Sequence, residues 1–248
     1  MNALPTTHGC VPGTGSAPVP GRGPHRGRGR AGWWVPPALL ALAFIPVLGG
    51  TGRLIEVLGG PEVLPTDDRF AASPVPLVAH IVAAVVYAVL GAFQFSARLR
   101  RRRPNWHRRA GRLLVVLGLA VAFSGLWMTL AYPRKEGTGD ILWGTRLLVS
   151  SGMGTAVILG LVAIRRRDIA RHRAWMTRAY ALALGAGTQA LTVGFGEALF
   201  GAGVGRTDLM MAAAWVINLA IAEWVIRRPT VRRTKRASRA RPALAGPS

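Results

Sequence analysis

The chain has 248 residues, half of them hydrophobic, and carries 32 Lys and Arg against 10 Asp and Glu, a formal net charge of +22. Such a charge ordinarily points to nucleic acid, but here the cations flank long uncharged apolar runs, so a membrane is expected and no nucleic acid. Cys10 is the only cysteine in the sequence, which excludes an internal disulfide and a cysteine metal cluster.

The two ends of the chain differ in composition from its middle. Residues 1–30 are rich in Gly, Pro, Thr and Arg and lack an apolar run, which predicts a disordered basic segment and no cleavable signal peptide. Residues 229–248 predict a similar basic tail. Residues 31–228 are therefore predicted to form a single membrane domain.

Six apolar runs in that domain approach or reach the roughly 20 residues that a helix needs to cross the hydrocarbon core. The first run is the shortest and is interrupted by Pro36, Pro37 and Pro46. The sequence therefore predicts an all-α integral membrane protein with six transmembrane helices. Its predicted spans are residues 33–49, 75–97, 113–132, 141–164, 179–200 and 209–226.

The positive charge is concentrated in alternate connections between these spans. Residues 22–30, 98–112, 165–178 and 227–241 contain 26 of the 32 Lys and Arg residues. Because Lys/Arg-rich loops stay on the cytoplasmic side, both termini are predicted to be cytoplasmic, in a bacterial plasma membrane. Anionic lipid headgroups are the expected counterions of these blocks.

Two of the basic connections resemble each other in sequence. "LRRRRPNWHRRAGRLL" and "IRRRDIARHRAWMTRAY" each contain an arginine run, then His-Arg, then a further arginine before the next span. The likeness predicts two helical hairpins that form a four-helix core of spans 2 to 5, with spans 1 and 6 outside. The alternative is two independent basic loops that happen to match.

Polar and small residues recur at helical spacing on the second and fifth spans, which predicts faces that point into the bundle. On span 2 these residues are His80, Ala84, Tyr87, Gly91 and Gln94. On span 5 the corresponding set includes Arg178, Gly185, Gln189, Thr192 and Gly196.

Two ionisable residues lie within the predicted spans near the outer side. Arg146 on span 4 and Glu197 on span 5 are at similar depth, and a buried ion pair between them would relieve the cost of both charges. The alternative is that each side chain reaches separately to the outer headgroups.

The histidines suggest a haem hypothesis. His107 and His172 both lie at helix starts on the cytoplasmic side and could be axial ligands of one haem b. His80 is too far from them; at its own depth Met128 is the obvious partner. The alternative is that these histidines bond a helix end, a lipid phosphate or a neighbouring helix. No metal-ligand spacing, phosphate-binding loop or catalytic motif occurs in the sequence, so an enzyme is not expected.

Several segments resemble a bacterial membrane protein family catalogued as domain of unknown function 2306. They are "DDRFAASPVPLVAHIVAAVVYAVLGAFQF", "WHRRAGRLL", "SGLWMTLAYP", "RHRAWMTRAYALALGAGTQ" and "WVINLAIAEW". The resemblance implies a multi-pass membrane protein and no established activity, cofactor or substrate.

Three hypotheses for function follow. The favoured one is a membrane module that binds a small apolar ligand or lipid within the bundle. A second is an electron carrier with haem b. A third is a small-solute transporter whose path is lined by His80, Gln189 and Glu197.

Overall fold

The computed structural model describes residues 33–228 except 63, 66 and 72, so the terminal segments predicted to be disordered lie outside the described residues. Within this range the regular structure is helical. A 3-10 helix (Asp68–Phe70) follows the first of eight α-helices. The α-helices are α1 (Val35–Val57), α2 (Val75–Gln94), α3 (Ala97–Arg102), α4 (Pro104–Ala131), α5 (Asp140–Arg165), α6 (Ile169–Ala183), α7 (Gly185–Phe200) and α8 (Val204–Arg227).

Five of these helices are long and apolar enough to cross a membrane: α1, α2, α4, α5 and α8. The predicted fifth span, residues 179–200, is instead divided between α6 and α7, of 15 and 16 residues. The all-helical membrane class is therefore confirmed; the described helices supply five candidate spans, and α6 and α7 are each too short to be one of them.

Successive long helices form hairpins, because α2 packs on α4, α4 on α5, and α7 on α8. The turns between α2 and α4 and between α5 and α6 hold the arginine runs, and we refer to that side as the arginine-rich end. The turns between α4 and α5 and between α7 and α8 lie at the other side, referred to as the opposite end.

Helix α8 is part of the core, contrary to the prediction that the sixth span lies outside a four-helix core. It packs against α5, α6 and α7, whereas α1 packs against α2 and α7. Ala214 of α8 is fully buried. At the arginine-rich end, Glu223 of α8 accepts a hydrogen bond from Arg178 of α6 at 2.5 Å. Glu223 also pairs with Arg227, one helical turn further along α8, at 3.2 Å.

Helix α1 continues to Val57, about two turns beyond its predicted end at residue 49. Its charges are paired: Arg53 Nη1 lies 2.8 Å from Glu56 Oε2, and Glu56 Oε1 accepts the backbone N–H of Leu64 at 2.5 Å. Because these partners neutralise the charges, the polar residues do not end the helix. Pro46 lies within it without a break.

Helices α4 and α6 begin well before the predicted spans. Pro104 stands in the first turn of α4, where its missing N–H costs no helical hydrogen bond. At the start of α6 the Asp168 side chain accepts the backbone N–H of Arg171 at 3.0 Å, as an N-cap does. The arginine-rich connections are therefore largely helical rather than loops.

The division between α6 and α7 lies at Leu184 and is stabilised by side chains of α8. Trp215 Nε1 donates to the carbonyl of Leu182 at 3.2 Å, and Asn218 Nδ2 donates to the carbonyl of Ala181 at 3.1 Å. Asn218 Oδ1 accepts the hydroxyl of Thr188 at 2.8 Å, just after the division. These bonds satisfy polar groups that hydrocarbon could not, which is what an interrupted helix in a membrane requires.

Tyr180 joins α6 to α2 within the core. Its hydroxyl donates to the carbonyl of Ala88 at 2.7 Å, and its ring packs against Gly91. The Tyr87 and Phe95 rings lie 5.9 and 5.0 Å from the Tyr180 ring, centroid to centroid. Tyr87 is only 5% exposed, so this stretch of the predicted polar face of span 2 lies inside the bundle.

Candidate functional site

A cavity of about 320 Å³ lies between the helices in the half of the bundle towards the opposite end. Side chains from α2, α4, α5, α6, α7 and α8 line it, together with Arg69 and Phe70 of the 3-10 helix. Most of its wall is apolar, with residues such as Leu77, Val121, Val149, Met153 and Leu182. A partly open cavity of this size between packed helices is the first candidate for a site.

Arg146 carries the charge of the cavity. It lies on α5, roughly 9 Å along the axis from the first residue of that helix at 1.5 Å per residue, and its side chain is part of the cavity wall. It makes no hydrogen bond or ion pair with any residue that the structure describes. Two charged residues interact with it electrostatically, the cation Arg69 and the carboxylate of Asp208, and their effects are opposite in sign.

The predicted ion pair between Arg146 and Glu197 is not formed, although both residues are within the described range. Glu197 Oε1 instead accepts the hydroxyl of Thr207 at 3.1 Å, across the turn between α7 and α8. The sequence predicted similar depths but not the direction in which each side chain points about its helix. Glu197 is therefore part of the α7–α8 hairpin, and the Arg146 guanidinium is left to the cavity.

His80 of α2 lines the same cavity and has a defined hydrogen-bond partner. Its Nδ1 lies 2.9 Å from Ser124 Oγ on α4, and that hydroxyl donates to the carbonyl of Ala120 at 2.5 Å. Because the hydroxyl has one proton, Nδ1 of a neutral His80 donates and Nε2 is left as an acceptor. Met128, the predicted partner of His80, also lines the cavity.

Gln189 of α7 and Trp215 of α8 also line the cavity. The Gln189 amide donates through Nε2 to the carbonyl of Met211 at 3.3 Å, which holds the side chain and leaves its carbonyl oxygen for another donor. The Trp215 indole N–H is already bonded to Leu182, so its ring presents an apolar surface.

Several contacts hold the 3-10 helix at the cavity wall. Arg69 donates to both oxygens of Asp67 at 2.7 and 2.6 Å and lies over the ring of Phe70 at 4.9 Å. The hydrogen bond from Arg69 lowers the pKa of the Asp67 carboxyl below its usual value. Tyr132 at the end of α4 donates to the carbonyl of Ser73 at 2.5 Å. These contacts bring a second guanidinium, that of Arg69, to the cavity wall.

His107 and His172 lie near each other at the arginine-rich end, far from this cavity, and each interacts electrostatically with the other. His172 Nδ1 donates to the carbonyl of Gly160 at 2.8 Å, which leaves Nε2 directed elsewhere, as in many ligating histidines. Neither residue lines the cavity described above. Haem b between them stays a prediction, which a reduced-minus-oxidised absorption spectrum of the purified protein would test.

Gln94, the last predicted residue of the span 2 face, lies at the arginine-rich end of α2. Its Nε2 is buried and has no hydrogen-bond partner among the described residues. The Gln94 backbone carbonyl accepts a long bond of 3.5 Å from Arg100. This residue therefore belongs with the histidines and arginines of that end and not with the cavity.

Sequence reasoning missed several residues that the fold brings to the cavity or its frame. None of the polar faces predicted from helical spacing included the following residues: Ser124, Ser150, Trp215 and Arg69. Asn218 and Asp208 could have been predicted from the sequence to have partners inside the protein, because an amide and a carboxylate within an apolar helix need them.

A comparison with known families now bears on these positions. Residues 77–226, more than half of the chain, match the family described as "Predicted membrane protein (DUF2306)". The chain belongs to this family. No curated protein and no solved structure matches it.

The DUF2306 match begins on α2 and ends on α8, so it confirms the resemblance seen in the sequence and omits α1. It contains the cavity wall described above except Arg69 and Phe70 of the 3-10 helix. The cavity is thus built almost entirely from the part of the chain that defines the family.

Proposed function

We propose that this member of the DUF2306 family is a bacterial plasma-membrane module that binds a small amphiphilic anion in the cavity of its helical bundle. The ligand has an apolar body, which lies against the aliphatic wall, and an acidic head, which pairs with Arg146. This goes further than the sequence hypothesis of a small apolar ligand or lipid, because the cavity wall includes a guanidinium.

The proposal includes six membrane crossings with both termini in the cytoplasm. Helices α6 and α7 together run from residue 169 to 200, which is long enough for one further crossing of a ~30 Å core. The arginine runs of 98–112 and 165–178 then lie on the same side. With that orientation the cavity lies in the half of the bundle towards the outside of the cell.

The observation that carries the proposal is the unpaired guanidinium of Arg146 in the cavity. A charge inside a membrane protein is costly unless an opposite charge or a set of hydrogen-bond acceptors compensates it. Among the described residues no carboxylate or carbonyl bonds Arg146; Arg69, which is itself paired with Asp67, and Asp208 act on it only through space, with opposite signs. An anionic ligand would supply the missing partner.

The size and lining of the cavity set the ligand class. A volume of about 320 Å³ is at the low end of the ~300–1,000 Å³ typical of small-molecule sites. His80 Nε2 and the Gln189 carbonyl oxygen offer acceptors, so a ligand that also carries one hydroxyl would be held more tightly.

The test uses the full-length protein in nanodiscs of zwitterionic lipid, with octanoate and octanol as a matched pair of probes. Binding is followed by the fluorescence of Trp215, and Trp215→Phe identifies the signal of that residue. Arg146→Gln should weaken octanoate binding about tenfold, the usual cost of a charge-assisted hydrogen bond, and leave octanol unchanged. Arg206→Gln, which removes an exposed charge from the same end, is the control.

Two results would overturn the proposal. One is equal affinity for octanoate and octanol in the unmodified protein, which would mean that the guanidinium does not contribute. The other is the same loss of octanoate binding in Arg206→Gln as in Arg146→Gln, which would mean that only the general charge of the surface matters.

Transport of the same kind of ligand is the second candidate function. The division at Leu184 favours it, because interrupted helices in transporters lie beside the substrate site, and Leu182, Ala183 and Ala186 on both sides of the division line the cavity. Uptake of labelled octanoate into proteoliposomes that is lost in Arg146→Gln would support transport. Binding without uptake would leave the module a binder.

A further inference from the structure

The two His-Arg segments of the sequence meet at the arginine-rich end of the bundle. Arg100 of α3, His107 of α4 and Arg173 of α6 form the cluster together with His172, also of α6. Arg100 interacts electrostatically with both Arg173 and His107, and His107 with His172. Helix α3 packs on α4, and α2 packs on α6, so residues that are far apart in the sequence lie at the same end of the bundle.

No carboxylate is among the charged groups that act on Arg100 and His107. The charged groups that act on Arg100 are Arg173 and Arg101, and those that act on His107 are Arg100 and His172. Burial, together with Arg173, lowers the pKa of Arg100. Nearby carboxylates have other partners, since Asp168 caps α6 and Glu223 binds Arg178. Like charges held together in this way favour an anion between them.

Two buried polar atoms at the same end have no hydrogen-bond partner among the described residues. They are the amide Nε2 of Gln94, which is a donor, and Nδ1 of His107, which donates when it carries the ring proton. Leaving a buried polar group without a hydrogen bond is costly, so native proteins seldom do it unless another molecule supplies the acceptor. The only hydrogen bond of the Arg100 guanidinium within the described residues is the long one to the Gln94 carbonyl, at 3.5 Å.

His172 differs from these groups, because its position is already fixed. Nδ1 donates to the carbonyl of Gly160 on α5 at 2.8 Å, which sets the ring orientation and leaves Nε2 available. When the ring is protonated, Nε2 is a further donor. In the protonated ring this second donor is therefore held in place before any ligand arrives.

We infer that Arg100, His107, His172 and Arg173 bind a phosphate group, which an anionic phospholipid of the cytoplasmic leaflet carries. A phosphate has several acceptor oxygens and a charge that matches paired guanidinium groups. The cluster lies where α2 ends and α4 and α6 begin, the level of the headgroups in the proposed topology. The site is separate from the cavity and does not depend on the ligand proposed there.

The experiment compares variants of the full-length protein for retention of phosphatidylglycerol. Each variant is reconstituted in nanodiscs with one part phosphatidylglycerol in five of phosphatidylcholine, and bound lipid is measured by native mass spectrometry. Arg100→Gln should reduce the retained phosphatidylglycerol about tenfold. His107→Gln, which keeps a neutral donor, should reduce it less. Arg109→Gln, which removes an exposed arginine two residues beyond His107, should retain the lipid.

A titration with inorganic phosphate tests whether the site binds a free phosphate ion or the phosphate group of a phospholipid. If phosphate displaces the lipid from the unmodified protein but not from Arg100→Gln, the site recognises the phosphate itself. If phosphate does not displace the lipid, the acyl chains contribute and the ligand is a phospholipid. Equal retention in all three variants and the unmodified protein, or an equal loss in Arg109→Gln and Arg100→Gln, would overturn the inference. Circular dichroism checks that each variant keeps its helical content.

Discussion

The carboxylate of Asp208 on α8 accepts a hydrogen bond from the backbone N–H of Leu142 on α5, at 3.1 Å. Its oxygens also accept the N–H of Gly139, at 3.2 and 3.0 Å. Asp208 is only 1% exposed, so a negative charge from one helix caps the positive end of another inside the protein. The start of α5, which carries Arg146, is thereby tied to α8.

Asp208→Ala should destabilise the protein by about 1–3 kcal/mol, because two buried backbone donors lose their acceptor. Asp208→Asn should cost less, since its amide oxygen still accepts one bond. Unfolding of the purified protein in detergent, followed by circular dichroism, measures both. Asp140→Ala is the matched control, because its side chain is 87% exposed. A cost in Asp140→Ala equal to that in Asp208→Ala would contradict the assignment.

Gly187→Ala should weaken the packing of α7 on α1. A Cβ at this position would overlap the backbone carbonyl oxygen of Leu42, and a backbone atom cannot move aside as a side chain end can. We expect a loss of about 1–3 kcal/mol in unfolding free energy. Gly194→Ala on the same helix meets no atom within 4 Å and should be neutral or stabilise by up to about 1 kcal/mol. Similar losses in the two variants would show that the contact with Leu42 is not the cause.

Arg167→Gly should stabilise the turn between α5 and α6. Arg167 has φ 60°, the left-handed region, and the N–H groups of Arg167 and Asp168 bond back to Ile164 and Ala163, as in a Schellman motif. Glycine enters this conformation without steric cost, so a gain of up to about 1 kcal/mol is expected. Arg166→Gly removes the same charge at a residue with φ −79° and should destabilise. A loss of stability in Arg167→Gly would contradict the explanation.

The 3-10 helix Asp68–Phe70 should lose hydrogen-exchange protection in acid. The hydrogen bond from Arg69 depresses the pKa of Asp67 below about 3.8, so its stabilisation is complete above that pH and is lost as the pH falls through the depressed value. Hydrogen-exchange protection of residues 68–71, corrected for the intrinsic pH dependence, should therefore be constant from pH 7 to 5 and fall below about pH 4. Asp67→Asn should show low protection throughout. Unchanged protection of the native segment at pH 3 would exclude this role for the pair.

The interior face of span 2 could be predicted from the sequence. The spacing of His80, Tyr87 and Gly91 predicted that they share one face, and in the structure they line the cavity or pack in the core. Helical periodicity fixes such a face, and the membrane makes the polar side turn inwards. Resemblance of the motifs also predicted the family that the match confirmed.

The sequence did not predict the partners of individual side chains. Arg146 and Glu197 were placed at matching depth, but depth along two helices does not set the rotation of either helix about its axis. In the structure Glu197 bonds Thr207. The same limit hid the bonds of Trp215 and Asn218 to the end of α6, which require α8 to lie in the core.

By itself, then, the sequence determined that the chain is a helical membrane protein, roughly where its helices cross and which ends carry the positive charge. Those properties follow from the cost of charge and of unpaired backbone in hydrocarbon, which acts on each segment separately. Only the tertiary structure decided the division at Leu184, the cavity and the unpaired state of Arg146. Each of these depends on how helices distant in sequence pack and rotate against one another, and that packing is a property of the whole bundle.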